Sequence, residues 1–385
     1  MTSRVLILDG HWNKSVAAIR ALATHGLKVT VGESSALAAG LLSRYPNRRF
    51  TYPAPLKNPA GFLNAIEREV QTIKYDVLMP MELTTLLLLS KERHRFTKHV
   101  CFPFARHEIL QQAASKIATN KTAYEVGITA PASVVVDPKT SADQLIDTLG
   151  LPLVLKPDMG EGGRGLFYCH TLVDLNAALT HIRQKNHPYL AQAMVAAEGY
   201  GLGVSILMDE AQNVRASFTH QRLREYPIQG GPSTLRQATR HAQAERDAVN
   251  LLTKIKWQGV AMVEFKVDPH TGTAFFLEIN PRFWGSLPLA IKAGVDFPVL
   301  LYKWALGQNF PLPKSLIGFK MRNLLPGDLL HLLSKGGRVD RDFWDFSIND
   351  DLFTLVDPGP AVGRIISPLV AIWDPQLRSV FLKRE

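Results

Sequence analysis

The sequence predicts a protein of mixed α/β and α+β class, with a parallel, layered α/β unit first and antiparallel strands with covering helices after it. Three observations carry that prediction. Strand and helix signals alternate over residues 1–110, two apolar runs between 151 and 170 flank a glycine-rich loop, and two more flank a turn near residue 271.

The first unit opens with the short β run "RVLILDG". "KSVAAIRALATHG" follows with helical spacing and Gly26 as its stop, then the strand "LKVTVGE". "PAGFLNAIEREVQTIK" is amphipathic, and "YDVLMPM" is a buried-type strand. The first turn, "DGHWNKS", lacks G-x-G-x-x-G, so a dinucleotide fingerprint is not present. Next, Leu110, Ala114, Ile117 and Tyr124 keep helical spacing up to Gly127, and Pro131 prevents continuation. This predicts one helix at a domain junction.

Beyond it, "ASVVVD" reads as a strand, and "SADQLIDTLG" as a helix with the capping-box spacing Ser141-x-x-Gln144 and a closing Gly150. "LPLVLKP" and "LFYCH" are strands joined by "DMGEGGRG". "TLVDLNAALTHIRQK" is a helix and "YLAQAMV" a strand. The last block holds "GVSILMDE", "NVRASFTH", the helix "QAERDAVNLLTKIK", and the pair "VAMVEFKVD" and "TAFFLEIN".

At 385 residues, with 46% hydrophobic and 20% charged side chains, the chain can build more than one core and has the composition of a folded protein. The apolar runs fall short of the about 20 residues a membrane-spanning helix needs. The two cysteines form no CxxC pair, and the expected setting is a reducing, cytoplasmic one. The net charge of +10 is dispersed rather than gathered into a stripe. It points to anionic small substrates and away from nucleic acid.

Chemistry concentrates in a few places. A hairpin turning near residue 271 sets Glu264 opposite Glu278, with Asn280 on the same face. Opposed carboxylates repel unless a cation lies between them. Two carboxylates and an amide oxygen make a hard donor set suited to Mg²⁺. Arg282 follows at once, in "EINPRFWGS". Gly160, Gly162, Gly163 and Gly165 allow backbone N–H groups to surround phosphate oxygens, and Lys156 ends the strand just before them. "THQRLREYPIQGGPSTLRQATR" holds Arg222, Arg224, Tyr226, Ser233 and Arg236, types that bind carboxylates or phosphates. Taken singly, each feature has a plainer reading: acids on a wet strand face, a flexible turn, a surface lysine, a solvated basic loop.

The order of these elements resembles the ATP-grasp superfamily of ATP-dependent carboxylate–amine ligases. The likeness covers nearly the whole chain and is strongest at "VEF…EINPRFWGS". "HQRLREYPIQGGPST" and "DDLFTLVDPGPAVG" are similar to the branch known as predicted ATP-grasp carboligases. The resemblance implies an ATP-grasp fold with a parallel α/β pre-grasp domain over 1–110. A grasp subdomain with the glycine loop would occupy 111–200, and a second one with the metal site 201–310. A C-terminal extension packed on the grasp domain would fill 311–385. It implies a ligase joining a carboxylate to an amine through an acyl phosphate. A kinase-like or carboxylase-like enzyme, or a non-catalytic nucleotide-binding regulator, is the alternative.

It further implies ATP with Mg²⁺ (or Mn²⁺) held by Glu264, Glu278 and Asn280. Lys116, Lys156, Gly160, Gly162, Gly163, Gln192 and Glu198 would bind the nucleotide. Arg282, Lys156 and Arg222 would act in catalysis, and Arg224, Tyr226, Ser233 and Arg236 would bind substrate. The hinge at Gln192 reads Gln-Ala where the family commonly has Gln-Glu or Glu-Glu. Pairing into a homodimer is also expected from the resemblance.

Overall fold

The structure, a computed structural model, describes residues 3–160, 165–185, 187–195, 198–228, 230–338 and 341–370. Its first unit alternates strand and helix as the apolar spacing requires: β1 (Arg4–Ile7), α1 (Asn13–Thr24), β2 (Lys28–Glu33), α2 (Ala39–Leu42), β3 (Arg48–Thr51), α3 (Pro59–Thr72), β4 (Val77–Met79) and α4 (Leu83–Lys91). Gly26 ends α1 with a φ of +83°, a conformation that side chains disfavour. The four strands are parallel in the order β3-β2-β1-β4. The strand order reverses at β1, with β2 on one side and β4 on the other, so a crevice opens at the C-terminal ends of β1 and β4.

The junction differs from the expected single helix. The chain breaks at Ser115 into α5 (His107–Ala114) and α6 (Lys116–Glu125). Ser115 is the N-cap of α6, its Oγ accepting from Ala118 N. Asp158 completes the break: its Oδ1 accepts from Ser115 Oγ at 2.7 Å and from Ile117 N at 2.9 Å, and its carbonyl accepts from Lys116 N. The helical spacing does not mark one buried stripe: Leu110 and Ala114 of α5 are buried, but Ile117 is half-buried and Tyr124 exposed, and α6 buries Lys116, Thr119, Asn120 and Thr122 instead.

A second sheet, in the antiparallel order β5-β8-β6-β7, is made of β5 (Ser133–Val136), β6 (Leu153–Pro157), β7 (Phe167–Cys169) and β8 (Tyr189–Ala193). It is covered by α7 (Ala142–Leu149) and α8 (Leu172–Arg183). The capping box expected at Ser141 and Gln144 forms, and Gly150 closes α7 with a φ of +71°. This unit keeps its own core, around Leu145, Leu153, Leu155, Leu175 and Ala191.

The large sheet contains β9 (Tyr200–Met208), β10 (Val214–Glu225), β11 (Ser233–Thr239), β12 (Gly259–Val267) and β13 (Ala274–Asn280), with α9 (Ala242–Lys254), α10 (Leu287–Lys292) and α11 (Phe297–Ala305) packed about it. The C-terminal segment adds β14 (Lys320–Arg322), α12 (Leu329–Ser334), β15 (Asn349–Asp350) and α13 (Gly359–Val370). The resulting order is β13-β12-β9-β10-β11-β14-β15. The core of the first sheet runs without a break into that of the large one. The extension also reaches past the large sheet, for α13 packs on α2 of the first unit.

Candidate active site

The site begins with the β12–β13 hairpin. Next to the turn, Val267 pairs with Ala274, Lys266 with Phe275 and Phe265 with Phe276. Continued unbroken, that register would set Glu264 opposite Leu277. A bulge shifts the pairing by one residue, so Glu264 meets Glu278 and Met262 meets Asn280. The expected opposition therefore exists because of a bulge that strand alternation does not foresee. Asn280 Nδ2 donates to Glu264 Oε1 at 2.9 Å, which places the amide beside the two carboxylates.

Three cations surround the acids. Arg222 Nη2 lies 2.5 Å from Glu264 Oε2, and Lys116 Nζ lies 3.2 Å from Glu278 Oε2. Lys116 Nζ also donates to Gly160 O at 3.2 Å, tying α6 to the start of the glycine loop. The break at Ser115 matters here, since it makes Lys116 the first residue of a helix pinned by Asp158. Lys156, at the end of β6, donates to Gln192 Oε1 at 2.6 Å. Gln192 Nε2 in turn donates to Ser133 Oγ.

The electrostatics follow from this crowding. Burial pushes Lys156 down to about 8, against the pull of Glu278 and Glu264. Burial also raises Glu264, with Glu278 opposite adding to the shift and Arg222 opposing it. Glu278 is half-buried; desolvation pushes its carboxyl up, yet Lys116, Lys156 and Arg222 together hold it below the ordinary range.

Arg222 stands on β10 and its partner on β12, with β9 between them. Adjacent strands lie about 4.8 Å apart, so the guanidinium must pass over a whole strand. Two glycines on β9 leave the way open. A Cβ on Gly201 would sit 2.8 Å from Arg222 Cδ, and one on Gly203 would sit 2.3 Å from His220 Cε1. His220 shares this face, and its Nε2 lies 3.0 Å from Ser286 Oγ. Burial, then Arg222 and Arg236, push its pKa far below the usual histidine value, so the ring is neutral. Asp158, Gly201 and Gly203 belong to the site though the motif reading passed over them, and so does His220, within the basic stretch "THQRLREYPIQGGPSTLRQATR" that the sequence marked. Gly-x-Gly inside an otherwise apolar strand, "YGLGVSI", is the signal that marks the notch.

The remaining expected residues are distributed around this centre. Arg282 is 8% exposed and donates from Nη1 to Phe283 O at 2.7 Å. Gln192 has its backbone in the β5–β8–β6 ladder, and its side chain, not that backbone, touches Lys156. Glu198 is exposed and lies 3.5 Å from His270 Nε2, beside the hairpin turn. Tyr226 N donates to Pro232 O, and Ser233 pairs with Glu225 at the start of β11. Arg224 and Arg236 were expected to meet substrate, but buried acids of the C-terminal segment hold them: Arg224 pairs with Asp328 at 2.9 Å, and Arg236 pairs with Asp351. Gly162 and Gly163 lie outside the described residues.

Among the described residues, no group of three or more His, Cys, Asp or Glu side chains is arranged to hold a metal ion. The donor set is instead two carboxylates and one amide, hard oxygens that fit Mg²⁺ or Mn²⁺ when phosphate oxygens and water complete the shell. Lys116, Lys156 and Arg222 set their positive charges against the acid pair. Among the same residues, no helix is long and apolar enough to cross a membrane.

Acetyl-CoA carboxylase 1 of Oryza sativa subsp. japonica is 27% identical over 176 residues, which cover 44% of this chain and 7% of that protein. The chain thus spans a small fraction of the first curated relatives it matches. Among solved structures, N5-carboxyaminoimidazole synthetase from Staphylococcus aureus, complexed with ADP, superimposes with a TM-score of 0.68 at 18% identity, over 87% of this chain and 85% of that one. L-amino acid ligase from Bacillus licheniformis does so with a TM-score of 0.63 at 16% identity, over 82% and 75%. The fold is therefore the ATP-grasp fold. The family model described as "Carbamoyl-phosphate synthase L chain, ATP binding domain" matches residues 115–313, over half of the sequence and the whole acid–cation cluster, and the chain belongs to that family.

Proposed function

We propose that this protein is an ATP-dependent ligase that joins a carboxylate to an amine and releases ADP and phosphate. One observation carries the reading: Glu264 and Glu278 face each other beside Asn280, inside a ring of Lys116, Lys156 and Arg222. A family of ATP binding domains, a similar fold complexed with ADP and another that is an L-amino acid ligase support it.

In this reading Glu264, Glu278 and Asn280 hold Mg²⁺, which supplies charge neutralisation at the phosphates. Lys116 and Lys156 contact the phosphate chain, with Gly160 at the start of the glycine loop held beside them by Lys116. The strand end past Gln192 receives adenine, and Glu198 the ribose. A substrate carboxylate oxygen attacks the γ-phosphorus, the bond to the β-phosphate oxygen breaks, and ADP leaves. Arg282 stabilises the charge on the phosphoryl group as it transfers, and Arg222 keeps Glu264 ionised at its side. The amine then attacks the acyl carbon, the C–O bond to phosphate breaks, and the nitrogen gives up a proton. Tyr226 and Ser233 line the substrate side, while Arg224 and Arg236 shape its wall from their ion pairs.

Purified protein is screened for phosphate and ADP release with a carboxylate library, with and without amines. Release that needs both components supports ligation. ADP formed with carboxylate alone and without phosphate release would make the protein a kinase, and no ADP across the panel a non-catalytic binder. Glu278→Ala and Asn280→Ala are each expected to lower turnover by about 100-fold or more while the protein stays folded. Near-normal turnover in either variant overturns the metal assignment.

A further inference from the structure

Lys14 stands at the start of α1, on the loop leaving β1, and is 3% exposed. Its ammonium donates to the carbonyl of Phe283 at 3.0 Å and lies 2.5 Å from Glu82 Oε1. Glu82 is the N-cap position of α4, directly after β4. The crevice between β1 and β4, where an open parallel sheet usually holds a ligand, is therefore taken up by a lysine turned toward another part of the same chain.

The carbonyl it reaches belongs to the residue after Arg282. Arg282 Nη1 donates to that same oxygen at 2.7 Å. One carbonyl has two lone pairs, so it can accept from a cation of the first unit and a cation of the active-site loop together. The far end of the loop is tied separately, by Ser286 Oγ and His220 Nε2. Without the lysine, the Phe283 carbonyl loses the partner that fixes its direction, and the guanidinium that rests on it loses a fixed acceptor.

We propose that Lys14, oriented by Glu82, is a positioning residue that sets the Arg282 guanidinium through the Phe283 carbonyl. The role given to Arg282 rests on the ligase reading; the clasp itself does not. The same contact ties the first unit to the active-site loop.

The test uses the full chain carrying Lys14→Met, Lys14→Arg or Glu82→Gln. Hydrogen exchange of the 281–287 peptide, measured without nucleotide, reads the clasp directly. About fivefold or faster exchange is expected there in Lys14→Met and in Glu82→Gln, with unchanged exchange in β12. MgADP affinity and the KM for ATP are expected to stay within about twofold, while kcat falls about tenfold or more. Lys14→Arg can reach the same carbonyl and should recover about half of kcat. Unchanged exchange at 281–287 overturns the proposal. So does a loss of MgADP affinity that parallels the loss of kcat, the mark of a merely structural role. If the wild-type protein forms no ADP with any acid, the ligase reading fails and exchange alone decides the clasp.

Discussion

At the scale of single residues, the site is a balance of buried charges in which Lys156 is the member placed to respond to pH. Desolvation has brought its ammonium down to about 8, and its contact with Gln192 is a hydrogen bond to a neutral oxygen. In the free protein the charged form dominates below that pH and is lost above it. A phosphate bound against Lys156 favours the charged form, so binding must take up a proton once the free lysine is neutral. MgADP affinity measured by calorimetry is expected to hold steady from pH 6.5 to 7.5, then to fall by up to about tenfold per pH unit above 8. Lys156→Met should bind weakly and without that alkaline fall. A fall of the same size in the variant would move the titration to another group. Lys156 was legible in the sequence from its place at a strand end before a glycine loop. Its link to Gln192 was not, because that link joins neighbouring strands whose pairing nothing local specifies.

At the scale of elements, the arrangement depends on three local departures from regular structure. The bulge in β13 turns Glu278 to face Glu264, the break at Ser115 aims Lys116, and the paired glycines of β9 let Arg222 cross a strand. The hairpin, the capping box at Ser141 and the alternation of the first unit could be read from spacing and turn residues. The bulge and the break could not, since nothing local marks the bulge and the break answers to Asp158, distant in sequence; the notch leaves only its Gly-x-Gly signal, while Arg222 and His220, which need it, lie on another strand. The notch gives a sharp test. Gly201 has an extended backbone free of positive φ, so adding a methyl brings crowding rather than backbone strain, and the crowded atoms are Arg222 Cδ and Glu225 Oε1. A flexible side chain can swing aside, so Gly201→Ala should cost only about 1 kcal/mol of stability. The swing carries the guanidinium off Glu264, and a misplacement of about 1 Å can lower turnover by about 100-fold. Activity assays with thermal melts are expected to show a loss of about tenfold or more in kcat beside a small shift in melting temperature. Unchanged kcat would mean that Arg222 reaches Glu264 by another path.

At the scale of the whole molecule, the C-terminal segment ties the two larger units together. It adds β14 and β15 to the edge of the large sheet, then lays α13 against α2 of the first unit. Composition indicated several cores, and residues 136–191 do keep one apart, but the extent of this wrap was not legible from hydrophobic pattern. The polar contacts that make it lie some 310 to 340 positions apart in the chain. Asp357 is at the centre of the tie, at 1% exposure. Its Oδ2 accepts from Arg20 Nε at 2.9 Å and from Ser43 Oγ at 2.8 Å, and its Oδ1 accepts from Arg44 N at 2.9 Å. Arg20 also donates to the carbonyls of Leu352 and Asp357. Removing the carboxylate leaves a guanidinium, a hydroxyl and an amide facing a gap that water reaches poorly. Asp357→Ala is expected to destabilise the first unit and the C-terminal segment together by about 3 kcal/mol. In hydrogen exchange, peptides of α1, α2 and α13 should open together, while those of α7 and α8, packed on the separate core, keep their protection. If α7 and α8 open as well, the small sheet depends on this tie despite its own core. If nothing opens, α13 is held to α2 by apolar contact alone.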